Sequence, residues 1–217
     1  MNREQLPSYY PVFLKIGGKK CVVVGGGQVA LRKVMVLIAY RASVDVISPE
    51  LCPELIELSE DGQVRVFRRH YQLGDLQSAF LVIAATDDSD INLRVATGAR
   101  SKAVLVNVVD DAEHSDFILP SYMRRGDVTI AVSTAGRSPA LARKIRTSLE
   151  KDFGDEYASL AVLIDEVRAE VKRQGIEVDG DAWQEALDLD LLSDLVRKGD
   201  REKARDVLLR NLKMRSR

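Results

Sequence analysis

The first half of the chain alternates between two hydrophobic periods. Short segments that are apolar or alternate in polarity predict β-strands at residues 20–24, 43–47, 63–68, 80–85 and 104–108. Between them, apolar residues at helical spacing predict helices at residues 28–40, 53–60 and 90–101. The segment 80–85 is almost wholly apolar, which is typical of a strand covered on both faces in a parallel sheet. The order βαβαβ–βαβ therefore predicts an α/β fold with a doubly wound parallel sheet.

The pattern changes near residues 110–115. Two further strands are predicted at residues 117–123 and 128–132, joined by a hairpin-like turn at residues 124–127. They indicate a small α+β region after the parallel sheet.

The remainder of the chain has helical spacing. Ser138 is a natural N-cap and Pro139 a natural first helical residue, so a helix is predicted from Pro139 to about Phe153. Further helices are predicted at residues 156–174, 182–197 and 201–212. Domain boundaries are therefore expected near residues 110–115 and near Gly154.

Composition and charge narrow the class of protein. Acidic and basic residues number 33 and 32, and hydrophobic residues make up 46% of the 217 residues. This balance favours a globular protein and offers no global charge for nucleic acid or an anionic membrane. The longest apolar runs have seven residues, against about 20 needed to span a bilayer. Residues 1–5 carry a charge of each sign with no apolar core behind them, unlike a signal peptide. We therefore expect a cytoplasmic protein with no nucleic-acid and no membrane partner.

Cysteine and histidine are scarce, with two of each. These numbers exclude a disulfide framework, a four-thiolate zinc site and a His-rich metal site. We assign no residue as a resident metal ligand.

A glycine-rich turn follows the first predicted strand and opens the first predicted helix. It runs Gly25-Gly26-Gly27-Gln28-Val29-Ala30 and fits the pattern G-x-G-x-x-A. The first glycine permits a tight turn, Gly27 removes the side chain where a pyrophosphate would approach, and Ala30 lets the helix pack close to the strand. The helix N–H groups and dipole attract phosphates. The turn predicts a dinucleotide site in a Rossmann-type fold, against the alternative of a tight turn without a ligand. The predicted cofactor contacts are Gly25, Gly26, Gly27, Gln28 and Val29.

The second predicted strand ends in Ser48-Pro49-Glu50, where such a site usually has an acidic residue for the adenosine ribose. Asp45 lies inside the strand and is expected to point away from the ribose. Ser48, Pro49 and Glu50 are therefore the predicted contacts. No arginine at this position favours a 2′-phosphate, so NAD is preferred over NADP.

Polar residues also occur at the carboxyl ends of the fourth and fifth predicted strands. Because ligands bind at the carboxyl ends of parallel strands, we predict Ala85, Thr86 and Asn107 as further cofactor contacts. Asp87 or Asp88 has a second explanation as the cap of the next helix, which is compatible with a contact at Thr86.

Asp110 ends the segment after the fifth strand. It is a candidate general base or an oxygen ligand for a metal in transit, and the alternative is a solvated loop carboxylate. His114 lies four residues further on, where it is a candidate for proton transfer or metal contact or is simply exposed.

Five segments in order resemble the siroheme synthase dehydrogenase/chelatase module. They are residues 22–30 with Arg32-Lys33, 84–88, 107–110, 117–120, and 133–139 with Ala142-Arg143. The resemblance covers residues 9–150, and the helical tail only in character. It implies a Rossmann NAD-binding domain over residues 1–112, a dimerisation region over residues 113–153 whose strands pair across subunits, and a helical domain over residues 154–217.

The resemblance also implies an activity, the NAD-dependent oxidation of precorrin-2 to sirohydrochlorin by a homodimer. The family's important aspartate falls on Asp110, as base, as orienter of the macrocycle or as an aid to metal entry. Some members also insert Fe(II) into sirohydrochlorin, which the sequence leaves open. The methyltransferase domain fused in some relatives is absent, so we expect a stand-alone form. Thr134-Ala135-Gly136 replaces the serine and two glycines of certain relatives, so no regulatory serine is expected there.

Precorrin-2 bears eight carboxylates, so its pocket needs cations and hydrogen-bond donors. We predict Arg137, Ser138 and Arg124 as substrate contacts, since Arg137 precedes the N-cap of a helix whose N-terminus attracts anions. Two other functions remain as alternatives: a non-catalytic NAD-binding regulatory module, and a chelatase with a vestigial nucleotide site. The regulatory module explains the glycine turn but not the segments 107–110 and 133–139.

Overall fold

The structure is a computed structural model that describes residues 9–215. Residues 1–5, from which a signal peptide was excluded, lie outside this range. The chain divides into two compact units between Leu119 and Pro120. Within the described range, none of the helices has the length and apolar character needed to cross a membrane.

The elements follow the predicted order closely. The strands are β1 (Lys20–Val24), β2 (Ser43–Ile47), β3 (Arg65–Phe67), β4 (Leu81–Ala84), β5 (Leu105–Val108), β6 (Ser121–Arg125) and β7 (Val128–Val132). The helices are α1 (Gln28–Ala39), α2 (Pro53–Glu60), α3 (Ser89–Arg100), α4 (Pro139–Asp152), α5 (Glu156–Arg173), α6 (Gly180–Ala186), α7 (Leu189–Arg197) and α8 (Arg201–Lys213). A short 3-10 helix spans Leu73–Leu76.

The first unit is a five-stranded parallel sheet in the order β3-β2-β1-β4-β5. Alternate residues of β1 enter two different cores: Val22 packs on the face covered by α3, and Val23 on the face covered by α1 and α2. This two-sided burial explains why the strands are so apolar. The doubly wound α/β fold expected from the sequence is confirmed.

The second unit begins with an antiparallel hairpin of β6 and β7. Gly126 turns the hairpin with φ of 57°, and a Cβ at this glycine would lie 2.8 Å from the Cβ of Ala158 in α5. The helices α5 to α8 enclose a third core around Leu163, Leu192 and Leu208. Trp183 packs at the margin of this core, beside an open cavity of about 600 Å³.

Two predicted elements are wrong in their limits. The strand expected at residues 117–123 begins only at Ser121, because Phe117 instead accepts a hydrogen bond from a side chain and Pro120 has no N–H to donate. The helix expected at residues 182–197 is two helices. Its second half restarts at Leu189, where the Asp188 carboxylate accepts a hydrogen bond from the Leu191 N–H at 3.1 Å and caps a new helix. The predicted domain limits at residues 112–113 and 153–154 stay predictions.

Candidate functional site

The glycine turn joins β1 to α1 and brings three strand ends together. Gly25 has φ of 127°, and a Cβ there would overlap the carbonyl oxygen of Ala85 after β4. A Cβ at Gly26 would overlap the Glu50 carbonyl oxygen and lie 2.8 Å from the Ser48 hydroxyl. The protein's own packing therefore requires both glycines, and it places Ser48, Glu50 and Ala85 against the turn.

Gly27 differs from its neighbours. A Cβ at this position would meet no atom of residues 9–215 within 4 Å, and the φ of −87° would accept any side chain. Gly27 is also the N-cap of α1, and no side chain caps that helix. The first N–H groups of α1 therefore face open space, as an anion-binding helix N-terminus requires. These residues fit the pyrophosphate of a dinucleotide. Gln28 points its amide at Glu54, 3.1 Å from one carboxylate oxygen.

Asp45, in the middle of β2, has a separate role. Its carboxylate is almost fully buried and accepts two hydrogen bonds from Arg65, at 2.8 and 2.9 Å. Lys20 lies 3.5 Å away on the other side. The Asp45 carboxylate is thereby committed to these two cations.

The segment after β4 is fixed by an asparagine that sequence reasoning missed. The Thr86 hydroxyl donates to the Asn92 Oδ1 at 2.8 Å, and the Asn92 amide donates to the Thr86 carbonyl at 2.9 Å. Asp88 caps α3 by accepting from the N–H groups of Asp90 and Ile91. Asp88 is therefore a helix cap, as one explanation expected, and Thr86 is held at the carboxyl end of β4, where its cofactor contact stays a prediction.

The segment after β5 places Asp110 in the left-handed region, with φ of 60°. Aspartate tolerates this conformation better than most residues, and such positions are common at functional sites. Asp110 is exposed, whereas Asn107 is buried and donates its amide to the Phe117 carbonyl at 3.0 Å. Asn107 thus anchors the loop with its side chain.

Lys33 of α1 is a neighbour of Asp110 that the sequence did not single out as a site residue. Burial and the positive charge of Arg32 lower the pKa of Lys33, and the negative charge of Asp110 opposes this shift. The half-buried Lys33 ammonium therefore interacts electrostatically with the Asp110 carboxylate. The signal for it was the Arg32-Lys33 pair in the family resemblance.

The predicted substrate contacts lie in the second unit. The Ser138 hydroxyl accepts from the Leu141 N–H at 3.2 Å and caps α4, as expected. Arg124 on β6 donates to the Gly126 carbonyl at 2.7 Å. Arg137 is exposed, and its guanidinium has no partner among the described residues. Ala135 lies in the left-handed region with φ of 52°.

The described residues contain no group of three or more His, Cys, Asp or Glu side chains arranged to hold a metal ion. Cys21 is buried in the sheet, and burial raises the pKa of its thiol to about 11. That thiol is an inert part of the core.

Comparison with known proteins decides the family. A family described as putative NAD(P)-binding matches residues 12–121. The chain belongs to this NAD(P)-binding family. Residues 125–151 match a second family, described as the central part of sirohaem biosynthesis proteins. The glycine turn and Asp110 both lie within the NAD(P)-binding match.

Relatives with longer chains share both regions. The chain is 41% identical over 199 residues to a siroheme synthase of Chromobacterium violaceum, covering 91% of this chain and 42% of that one. It is 39% identical to a siroheme synthase of Thioalkalivibrio sulfidiphilus, covering 92% and 41%. The chain thus spans about two fifths of the length of these relatives. The resemblance to siroheme synthases inferred from the motifs is confirmed.

A solved structure of SirC, precorrin-2 dehydrogenase, shares the fold. It superposes with a TM-score of 0.69 at 25% identity, covering 95% of this chain and 100% of that one. The likeness extends beyond the NAD(P)-binding family domain into the second unit.

Proposed function

We propose that this chain oxidises precorrin-2 to sirohydrochlorin with NAD, a step of siroheme biosynthesis. One observation carries the proposal: the open N-terminus of α1 and the left-handed Asp110 both lie at carboxyl ends of strands in one parallel sheet. That edge is where this architecture binds its ligands. The likeness to SirC along its whole length supports the same function.

The first unit supplies the cofactor contacts. The backbone of Gly25, Gly26 and Gly27, with Gln28 and Val29 in the first turn of α1, would hold the pyrophosphate. Ser48, Pro49 and Glu50 would border the adenosine ribose, and Ala85, Thr86 and Asn107 the remainder of the cofactor. When bound, the nicotinamide supplies the acceptor for a hydride. The absence of arginine from residues 48–50 supports NAD over NADP.

Asp110 acts on the macrocycle in this proposal. Its exposed carboxylate can orient a pyrrole N–H or accept a proton, and the half-buried Lys33 ammonium interacts with it electrostatically. Arg124, Arg137 and Ser138 contact the substrate carboxylates, for which the free Arg137 guanidinium is best suited.

We also propose that the chain is a homodimer. β6 and β7 pair with no third strand among the described residues, and the outer edge of such a pair is a template for pairing with a strand of another chain. Leu141 and Ile145 of α4 expose 51% and 38% of their surface, which favours a partner surface there. The cytoplasmic location expected from the sequence remains a prediction.

The test measures NADH formation from precorrin-2 and NAD by the purified protein. Asp110→Asn keeps the size and the left-handed backbone, and we expect kcat to fall by about 100-fold or more. Asp61→Asn, at the exposed end of α2, is the matched control and should retain full activity. An Asp110→Asn enzyme as active as the control would contradict a catalytic role for Asp110.

The same preparation separates the rival functions. NAD binding without any binding of precorrin-2 would indicate a regulatory module. A second step with sirohydrochlorin and Fe(II) as substrates tests metal insertion independently, because both reactions change the absorption of the macrocycle. Iron insertion without NADH formation would indicate a chelatase alone.

A further inference from the structure

The loop after β5 contains a carboxylate–imidazole pair next to Asp110. The His114 Nδ1 lies 2.6 Å from the Asp111 Oδ2, and the His114 backbone N–H donates to the Asp111 Oδ1 at 3.1 Å. Both oxygens of the carboxylate are engaged, so the imidazole ring is held in one orientation. The hydrogen bond from His114 holds the pKa of Asp111 below its usual range.

Backbone and hydroxyl contacts anchor this pair to the end of β5. The Ser115 hydroxyl accepts from the Val108 N–H at 2.9 Å and donates to the Asp111 carbonyl at 2.6 Å. The Asp116 N–H donates to the Val106 carbonyl at 2.7 Å, which returns the loop along the strand. The pair and Asp110 therefore share one anchored turn at the carboxyl edge of the sheet.

The pairing fixes which nitrogen of His114 is free. An ionised carboxylate only accepts hydrogen bonds, so Nδ1 carries the hydrogen and the neutral ring keeps its lone pair on Nε2. No described residue hydrogen-bonds to Nε2, and 34% of the side chain is exposed. The ring is therefore oriented by one nitrogen and open to a ligand at the other, as in a base held by a carboxylate.

Charged groups surround the pair on its loop. Asp110, Glu113 and Asp116 lie on the same loop as the pair. Arg100 of α3 contacts this loop. Its guanidinium donates to the Glu113 carbonyl and lies 3.7 Å from the Asp116 carboxylate. Lys33 of α1 is coupled to Asp110. The loop therefore carries three carboxylates besides Asp111, and the cations Arg100 and Lys33 interact with two of them, Asp116 and Asp110.

We propose that His114 is the proton acceptor of this site, an inference that rests on the proposed function. The oxidation removes two hydrogens from precorrin-2. One C–H bond breaks and its electron pair leaves as hydride, which reduces NAD⁺ to NADH, and one proton leaves the macrocycle. His114 Nε2 takes that proton, Asp111 stabilises the imidazolium, and water then removes the proton. Asp110 holds the macrocycle while His114 accepts the proton.

His114→Gln tests the assignment, because glutamine keeps an amide donor for Asp111 but cannot take up a proton. We expect kcat to fall by about 100-fold, with the Kd for NAD and the melting temperature unchanged. The fall of kcat at acidic pH, which reports protonation of the ring, should disappear from the residual activity. The control is His70→Gln, which changes the other histidine of the chain, an exposed one. This variant should behave as wild type. A His114→Gln enzyme within about twofold of wild-type kcat and with the same acid limb overturns the inference.

Asp111→Asn gives a second, independent readout. A neutral amide stabilises the imidazolium less than a carboxylate does, so the acid limb of kcat should move to lower pH. An acid limb that stays in place contradicts the pairing. Wild-type protein that makes no NADH from precorrin-2 defeats the proposed function itself, whereas active wild type with unaffected His114 variants defeats only this inference.

Discussion

Three adjacent glycines in the turn after β1 lack a side chain for different reasons. Gly25 and Gly26 are required by the Ala85 and Glu50 backbones that approach them, whereas a Cβ at Gly27 would have no neighbour within 4 Å in the part of the chain that the structure describes. The motif located all three, because a phosphate-binding turn is a local feature of sequence. Lys33 and Asn92 were not found as site residues. Their roles depend on which side of α1 or α3 meets a strand end, and residue spacing does not determine that.

Gly27→Ala and Gly26→Ala should therefore affect different properties, the first the affinity for NAD and the second the stability of the fold. A methyl group at Gly27 fits the protein but intrudes where a phosphate would lie, so we expect NAD affinity to fall by about tenfold or more at an unchanged melting temperature. A methyl group at Gly26 overlaps the Glu50 carbonyl, so that variant should melt earlier. Calorimetric titration with NAD and thermal unfolding separate the two effects. If Gly27→Ala binds NAD with wild-type affinity, the proposal that this turn binds the phosphates is wrong.

The limits of elements with a strong hydrophobic periodicity were predicted within one or two residues. The limits of elements with a weak periodicity were not. The apolar strands β1, β2 and β4 and the helices with natural caps needed only local information. The start of β6 depends on the hydrogen bond from the Asn107 amide to the Phe117 carbonyl, which joins residues of two different segments. The 3-10 helix at Leu73–Leu76 carries no periodic signal. It is held by side-chain contacts, among them the Lys20 ammonium of β1, which donates to the Asp75 carbonyl at 2.9 Å.

Asp75 in that 3-10 helix makes stability depend on pH. Burial raises the pKa of its carboxyl, but hydrogen bonds from Arg69 at 2.6 and 2.8 Å and from the Gln72 N–H outweigh burial and hold the pKa below the usual range. A lowered pKa in the folded state gives stabilisation that is present above the ordinary aspartate pKa. It is lost as pH falls through the lower, folded value.

Asp75→Asn should thus lower the melting temperature at neutral pH by about 3 °C or more. The difference from wild type should shrink as pH falls below about 4, where the wild-type carboxyl becomes protonated. Glu60→Gln, at an exposed position without a partner in the described range, is the control. A difference that stays constant between neutral and acidic pH would contradict the role of the ionised carboxylate.

At the scale of the whole molecule, the order of strands and helices was enough to predict an α/β unit followed by a smaller one. The extent of the second unit was harder to derive. The hairpin turn at Gly126 packs on Ala158, and Arg125 lies 3.2 Å from the Asp155 carboxylate, so contacts cross residue 154. Such contacts join segments that look separate in sequence.

The proposed dimer is tested by measuring the molar mass in solution with light scattering. We expect twice the mass of the 24.1 kDa chain. Ile145→Glu should shift the protein toward the monomer, because a charge would replace an apolar group on α4. Val162→Glu places the same charge on the exposed face of α5 and should leave the mass unchanged. A monomeric wild-type protein would remove the proposed dimer.

Trp183 is the single tryptophan of the chain and lies in the second unit. Its emission therefore reports the unfolding of α5 to α8, while far-ultraviolet circular dichroism reports helices and strands of both units. Melting curves from the two signals that coincide would show that the units unfold as one cooperative system. Curves that separate would give each unit its own transition, and the parallel sheet could then be followed by difference.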